Sequence, residues 1–395
     1  MKIAFLILSF LFLIILEITR VYFIMPFPGS QYDETINIAY WIHKNLFWLR
    51  LIGWLLIAVS LFLAWRNAKK SPRFIAGAGL SLYIIVFYFF NFRMLAEKMF
   101  IQPQEKIFST LTDNKIPESK LVIGITQNGE SKAYPIQIIG YHHQVRDTVG
   151  KIPIMVTYCT VCRTGRVFSP IVAGQPENFR LVGMDHFNAM FEDSKTGSWW
   201  RQATGVAVAG PLKDSVLNEI PSQQTSLAAW IKANPSTKIM QYDPSFMKDY
   251  EDLEEFDIGT IKSSLEKRDS ASWKFKSWVV GIYNDRSAKA YDWNELLKKK
   301  FIQDSLPDLP VLLVLEKDSV SFHAFNRMLG TNAINFEWKE ETQQLRDQLT
   351  GSLWNLKGEC TEGPLAGTQM DRIQAYQEFW HSWKSFHPKT KKFPE

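Results

Sequence analysis

The stretch GITQNGESKAYP, residues 124–135, is answered later in the chain by GIYNDRSAKAYD, residues 281–292. Each reads as a strand, a turn rich in Asn, Gly or Asp, and a second strand. The match does not end there. Pro153 of IPIMVTYC aligns with Pro310 of LPVLLVLE at the same spacing, and Thr196-Gly197-Ser198-x-Trp200 aligns with Thr350-Gly351-Ser352-x-Trp354. Gly210-Pro211-Leu212 aligns with Gly363-Pro364-Leu365, and Trp230…Pro235-x-Thr237 with Trp383…Pro388-x-Thr390. The spacing drifts only slightly along the way, as small loop deletions in a duplicated unit would produce.

Within each unit the pattern is mostly short strands. ESKLVIGIT alternates, IPIMVTY is a buried-strand run, and each unit closes on a short helix with a tryptophan, then Pro and Thr. The repeated Trp200, Trp354, Trp230 and Trp383 read as core. Residues 118–242 are expected to form the first unit and 276–395 a degenerate second unit. The acidic stretch 243–275 between them reads as a solvated linker.

Ahead of this part lie three apolar runs, at residues 3–25, 47–65 and 74–92, each about the 20 residues a helix needs to cross hydrocarbon. The first is too long for a signal-peptide core and is followed by two more, so it reads as an anchor. Glu17, Arg20 and Arg50 lie near the ends of the runs, where charged side chains snorkel to the interface. The expected fold class is therefore an N-terminal three-helix transmembrane region, residues 1–95, a linker at 96–117, and a β-rich α+β soluble part built from two internal repeats. The connection RNAKKSPR, residues 66–73, is strongly basic, whereas residues 26–46 carry only Lys44 as a base. Positive loops stay in the cytoplasm, which puts the soluble part on the extracytoplasmic, periplasmic side with the lipid bilayer as partner. The net charge is only +5, and no basic stripe interleaved with aromatics points to nucleic acid.

Comparing the two units separates fold from chemistry. Positions kept in both belong to the fold, and Asp193 with Asp347 is one such pair. Positions present in one unit only are candidates for chemistry. Cys159 aligns with Glu316, Cys162 with Ser319, and His142-His143 with Lys299-Lys300. The stretch VTYCTVCRTGRVF, residues 156–168, sets Cys159 and Cys162 between two strands, a setting that suits a metal knuckle. A thioredoxin-type pair would open a helix. Covalent haem attachment needs His after the second Cys, and Arg163 stands there. His142 is the candidate third ligand or proton-transfer group, and His186 a further candidate ligand. Met184 and Met190 suit copper(I) but read as core. Cys360 reads as a small buried hydrophobe. No P-loop, Rossmann glycine pattern or Ser-His-Asp order appears, so no nucleotide cofactor or hydrolase chemistry is expected.

The residues Ala133-Tyr134-Pro135, His142, Val145, Asp147, Val149-Gly150, Pro153, Val156 to Cys159, Cys162, Asp193, Thr196-Gly197-Ser198, Trp200, Gln202, Ala207 and Gly210 to Leu212 form an ordered motif set. Phe379-Trp380, Trp383, Phe386, Pro388 and Thr390 extend it. Together they resemble an uncharacterised prokaryotic family, domain of unknown function 3179, over roughly residues 118–391. The family pattern has His-Glu where this chain has His142-His143, and Cys-Pro-Leu-Cys-Gly where it has Cys159-Thr160-Val161-Cys162-Arg163. The resemblance implies the architecture and the choice of residues, and no established activity. Three readings stay open: a thiol–imidazole site for copper or zinc, a thiol–disulfide redox pair, and a non-catalytic binding or scaffolding module.

Overall fold

The computed structural model describes residues 2–65, 70–339, 341–342 and 344–394. Residues 66–69 of the basic connection, on which the orientation rests, lie outside the described residues. The chain divides into two compact units, Met1–Ile101 with Ile171–Leu217, and Gln102–Pro170 with Asn218–Glu395.

The first unit holds helices α1 (Lys2–Tyr22), α2 (Ile36–Trp65) and α3 (Lys70–Tyr88), the last continuing into a π-helical turn at Phe89–Arg93. All three are long and apolar enough to cross a membrane. Helix α2 begins well before its apolar run, because INIAYWIHKNL mixes polar and apolar residues and gives no hydropathy signal. That extension meets the unit's own sheet, where Tyr40 donates to the Gly197 carbonyl at 3.0 Å. The three charges do not simply snorkel. Glu17 is 0 % exposed and takes both arms of the Arg50 fork at 2.7 Å. A carboxylate in an apolar bundle is costly alone, and a bidentate guanidinium offsets that cost. The unit's antiparallel sheet orders strands Ala207–Ala209, Trp199–Arg201, Asn188–Asp193 and Phe179–Asp185.

The second unit opens with β1 (Leu121–Gln127), β2 (Glu130–Pro135), α4 (Ile136–His142), β3 (Gln144–Val149), β4 (Ile152–Cys159) and β5 (Thr164–Phe168). Asn128-Gly129 closes the β1–β2 hairpin with φ of 47° and 82°, the positive pair that a two-residue turn matching strand twist requires. Then come β6 (Gln223–Ser226), α5 (Leu227–Ala233) and β7 (Lys238–Met240). β1 lies antiparallel between β2 and β6, and β7 joins β2 in parallel. The later half contains β8 (Trp278–Tyr283), β9 (Ala288–Asp292), α6 (Trp293–Lys299), β10 (Phe301–Leu306), β11 (Leu309–Leu315) and β12 (Phe322–Asn326). It closes with β13 (Tyr376–Phe379), α7 (Trp380–Phe386) and β14 (Lys391–Phe393). Here β8 lies antiparallel between β9 and β13, and β14 joins β9 in parallel.

Helix α5 presses on β1 so closely that a Cβ at Gly124 would come 2.3 Å from the Trp230 ring. A Cβ at Gly281 would likewise come 2.1 Å from Trp383 of α7. Each tryptophan donates its indole N–H to a threonine at 2.8 Å, Trp230 to Thr237 and Trp383 to Thr390. The expected core roles of Trp200, Trp230, Trp354 and Trp383 hold, since all four are buried. The acidic stretch is not a solvated linker. Phe246, Tyr250 and Phe256 are buried in the core of the first half, and Asp257 accepts the Leu121 amide at 2.9 Å. The aromatic spacing inside the acidic run lets one face pack while most acids face water.

Candidate functional site: a buried thiol pair

The strand run IPIMVTYC pairs with TGRVF in strict antiparallel register, Cys159 opposite Thr164. The four residues between β4 and β5 make the turn, with Arg163 at φ 54°. Cys162 therefore sits on a hairpin turn, and a strand rather than a helix follows it. Neither cysteine is in a disulfide, and both are fully buried. The Cys162 thiol is hydrogen-bonded to Cys159, and burial, reinforced by that contact, pushes it well above the ordinary thiol range.

Residues from the later half surround the pair. Phe379 donates its amide to the Cys162 carbonyl at 2.9 Å. The His381 ring lies 3.1 Å from the Val161 carbonyl and stacks on Phe275 with centroids 4.2 Å apart. Burial, and then the charge of Lys276, press His381 down to about 3, so at neutral pH it is an uncharged wall of the site. The Ser382 hydroxyl bonds the Cys162 thiol and donates to Glu378 at 3.0 Å. Glu378 in turn holds Arg166 at 2.7 Å. Ser382 thus stands between the Cys162 thiol and a buried carboxylate.

Among the described residues His142 is not grouped with the two thiols to hold one ion. Its Nε2 lies 2.7 Å from the Tyr250 hydroxyl, and its ring packs edge-on against Phe246. His186 belongs to the other compact unit. There its Nδ1 lies 2.5 Å from Asp185, which also holds Arg201. Met184 and Met190 are core residues of that unit, and Cys360 is a buried apolar residue in the second. Among the described residues, no three His, Cys, Asp or Glu side chains are grouped to hold one ion.

Comparison of the two units does not point to Lys276, Glu378, His381 and Ser382, because the cysteines that mark the site lie in the first half. A signal was present. Where Trp230 is preceded by Ala228-Ala229, Trp383 is preceded by His381-Ser382. The later half has polar groups where its counterpart has alanines, and two of them line the thiol pair.

Three helices long enough to cross a membrane, joined to a β-rich α+β part with a buried CxxC hairpin, define the class of protein. The sequence pattern of the family described as "protein of unknown function (DUF3179)" matches residues 103–390, and the chain belongs to that family. No curated protein and no solved structure matches it.

Proposed function

We propose that this is a membrane-anchored protein whose extracytoplasmic part arose by duplication and binds a soft metal ion, copper(I), between Cys159 and Cys162. The observation that carries the metal reading is the thiol pair itself: two buried sulfurs in mutual contact, with no third His, Cys, Asp or Glu grouped beside them among the described residues. Zinc asks for four ligands, whereas thiolates select copper(I) among soft ions, and copper(I) accepts two. On binding, two S–H bonds break, two S–Cu bonds form, both protons leave and no electron moves. The duplication is supported by the matched strand order around β1 and β8. It is supported again by Tyr134 donating to Asp147 at 2.7 Å and Tyr291 to Asp304 at 3.1 Å. The orientation is supported by the basic residues at 66–73, and activity of a C-terminal reporter in the cytoplasm would overturn it.

The test of the metal reading is copper(I) titration of the full chain in detergent against a coloured chelator. Wild type should take up one ion, and the Cys159→Ser/Cys162→Ser variant none. Equal binding by both would refute the reading. The thiol–thiol contact also favours a second reading, exchange with a partner disulfide. In that step two S–H bonds give one S–S bond, and the partner is reduced to two thiols. Thiol counting after treatment with oxidised glutathione separates the two: loss of two thiols without copper uptake favours exchange.

A further inference from the structure

We infer that Lys276 makes the thiol pair a site for a monovalent soft cation, by placing beside it a buried ammonium whose charge a singly charged metal bis-thiolate balances and a neutral one does not. This rests on the thiol-pair reading above. Lys276 lies on the segment leading into β8 and is only 9 % exposed. Among the described residues its ammonium has no hydrogen-bond partner. It lies 5.4 Å from the centre of the Phe379 ring, the residue whose amide grips the Cys162 carbonyl, and it is within electrostatic reach of both sulfurs.

An unpaired buried ammonium is expensive, and folds keep one only where something compensates it. The nearby acids do not supply the partner. Asp269 accepts the Lys276 backbone amide instead, at 2.8 Å. Burial lowers the Lys276 pKa, and Glu266 pulls it back up more than either thiol does, though its carboxylate takes the Ser263 hydroxyl rather than the ammonium. On the far side of the thiols, Glu378 is committed to Arg166. Arg163 adds a further cation, held by Gln377 and by the Phe256 and Asp257 carbonyls.

The charge count then discriminates between ions. Two thiolates with copper(I) or silver(I) carry one negative charge, which Lys276 neutralises. Two thiolates with zinc are already neutral and leave the ammonium uncompensated. A disulfide, also neutral, leaves it uncompensated too. Lys276 is thus a specificity residue, acting through charge rather than ligation.

The experiment compares wild type with Lys276→Met and Lys276→Arg, as full chains in detergent, titrated separately with copper(I) and zinc against coloured chelators. Lys276→Met should weaken copper(I) by about 10-fold or more and leave zinc unchanged or tighter. Lys276→Arg should retain copper(I) within about threefold, since the charge is kept. Equal copper(I) affinity in wild type and Lys276→Met, or an equal loss for both ions, would overturn the inference while leaving the thiol pair as the site. Failure of wild type to bind copper(I) would instead remove the thiol-pair reading. Should Lys276→Met not fold, wild type still decides. Silver(I) must displace copper(I) one for one and excess zinc must not; displacement by zinc overturns the inference.

Discussion

Arg166 and Glu378 form an ion pair at 2.7 Å with both side chains 1 % exposed. The guanidinium also lies over the Tyr376 ring, with its central carbon 3.1 Å from the ring centre. The pair ties β5, which leaves the cysteine turn, to β13, which precedes the helix that lines the site. Removing Glu378 leaves the buried Arg166 guanidinium only the longer contact with Glu219, at 3.8 Å. Glu378→Ala is therefore expected to destabilise the second compact unit by about 3–5 kcal/mol. Denaturant unfolding of the full chain in detergent, followed by tryptophan fluorescence, measures this. A loss below about 1 kcal/mol would mean that water reaches the pair.

Asp193 and Asp347 each organise a loop in the same way. Asp193 accepts from the Thr196 amide at 2.6 Å, the Ser198 amide at 3.2 Å and the Trp200 indole at 2.9 Å. Asp347 accepts from the Thr350 amide at 2.5 Å, the Ser352 amide at 3.1 Å and the Trp354 indole at 3.1 Å. An amide oxygen cannot replace both carboxylate oxygens as acceptors. Asp193→Asn and Asp347→Asn should each cost about 1–3 kcal/mol and leave copper(I) affinity unchanged. A selective loss of metal binding in Asp193→Asn would show that this loop serves the site.

Acid should weaken the two compact units in different pH windows. Burial, aided by the neighbouring His142, lowers His143 to about 4, against the contrary pull of its bond with the Tyr141 carbonyl. The folded state then binds fewer protons than the unfolded chain, whose histidine titrates at about 6.5. Its contribution is complete above that value and is lost as pH falls toward 4. Burial alone would raise Glu192, but hydrogen bonds from His43, Arg180 and Trp199 hold it at about 2. Its contribution is complete above about 4.3 and drains below that. His143→Asn, which suits the left-handed φ of 61°, should flatten the upper slope only. Unfolding midpoints at stepped pH report it, and an unchanged slope would count against a neutral buried His143.

Much of this architecture was legible because it depends on periodicity and turns. The Asn128-Gly129 hairpin, the tryptophans behind Gly124 and Gly281, and the strand-turn-strand setting of the cysteines are all local signals. What the sequence hid is long-range. Nothing local says that Lys276 comes to the thiols more than a hundred residues away, or that Tyr250, inside an acidic run, caps His142. His142 is a ligand candidate because it is missing from the later half, and its ring packs edge-on against Tyr141, Phe246 and Tyr250. The amphipathic start of α2 was lost for a different reason: a helix that leaves the apolar run to meet a sheet has no membrane hydropathy.

The three long apolar helices share a polar knot, and its chemistry predicts how they respond to mutation. Glu17 of α1 receives the Arg50 fork from α2, the Asn91 amide at 2.9 Å and the Tyr83 hydroxyl at 3.2 Å. Arg20 bonds the Asn91 side-chain oxygen. Every helix of the bundle therefore contributes to the surroundings of one carboxylate. Glu17→Ala leaves two guanidiniums without their shared anion, and Arg50→Ala leaves the carboxylate without its main cation. Each single variant should lower the thermal midpoint in detergent more than the double variant Glu17→Ala/Arg50→Ala does relative to either single one, because the double removes both charges. The cycle should return a coupling of about 1–3 kcal/mol. Arg50→Lys should recover little, since an ammonium cannot make the two parallel bonds of the fork. Strict additivity of the two alanine variants would mean that the helices associate by apolar packing alone and that Glu17 and Arg50 are bystanders in it.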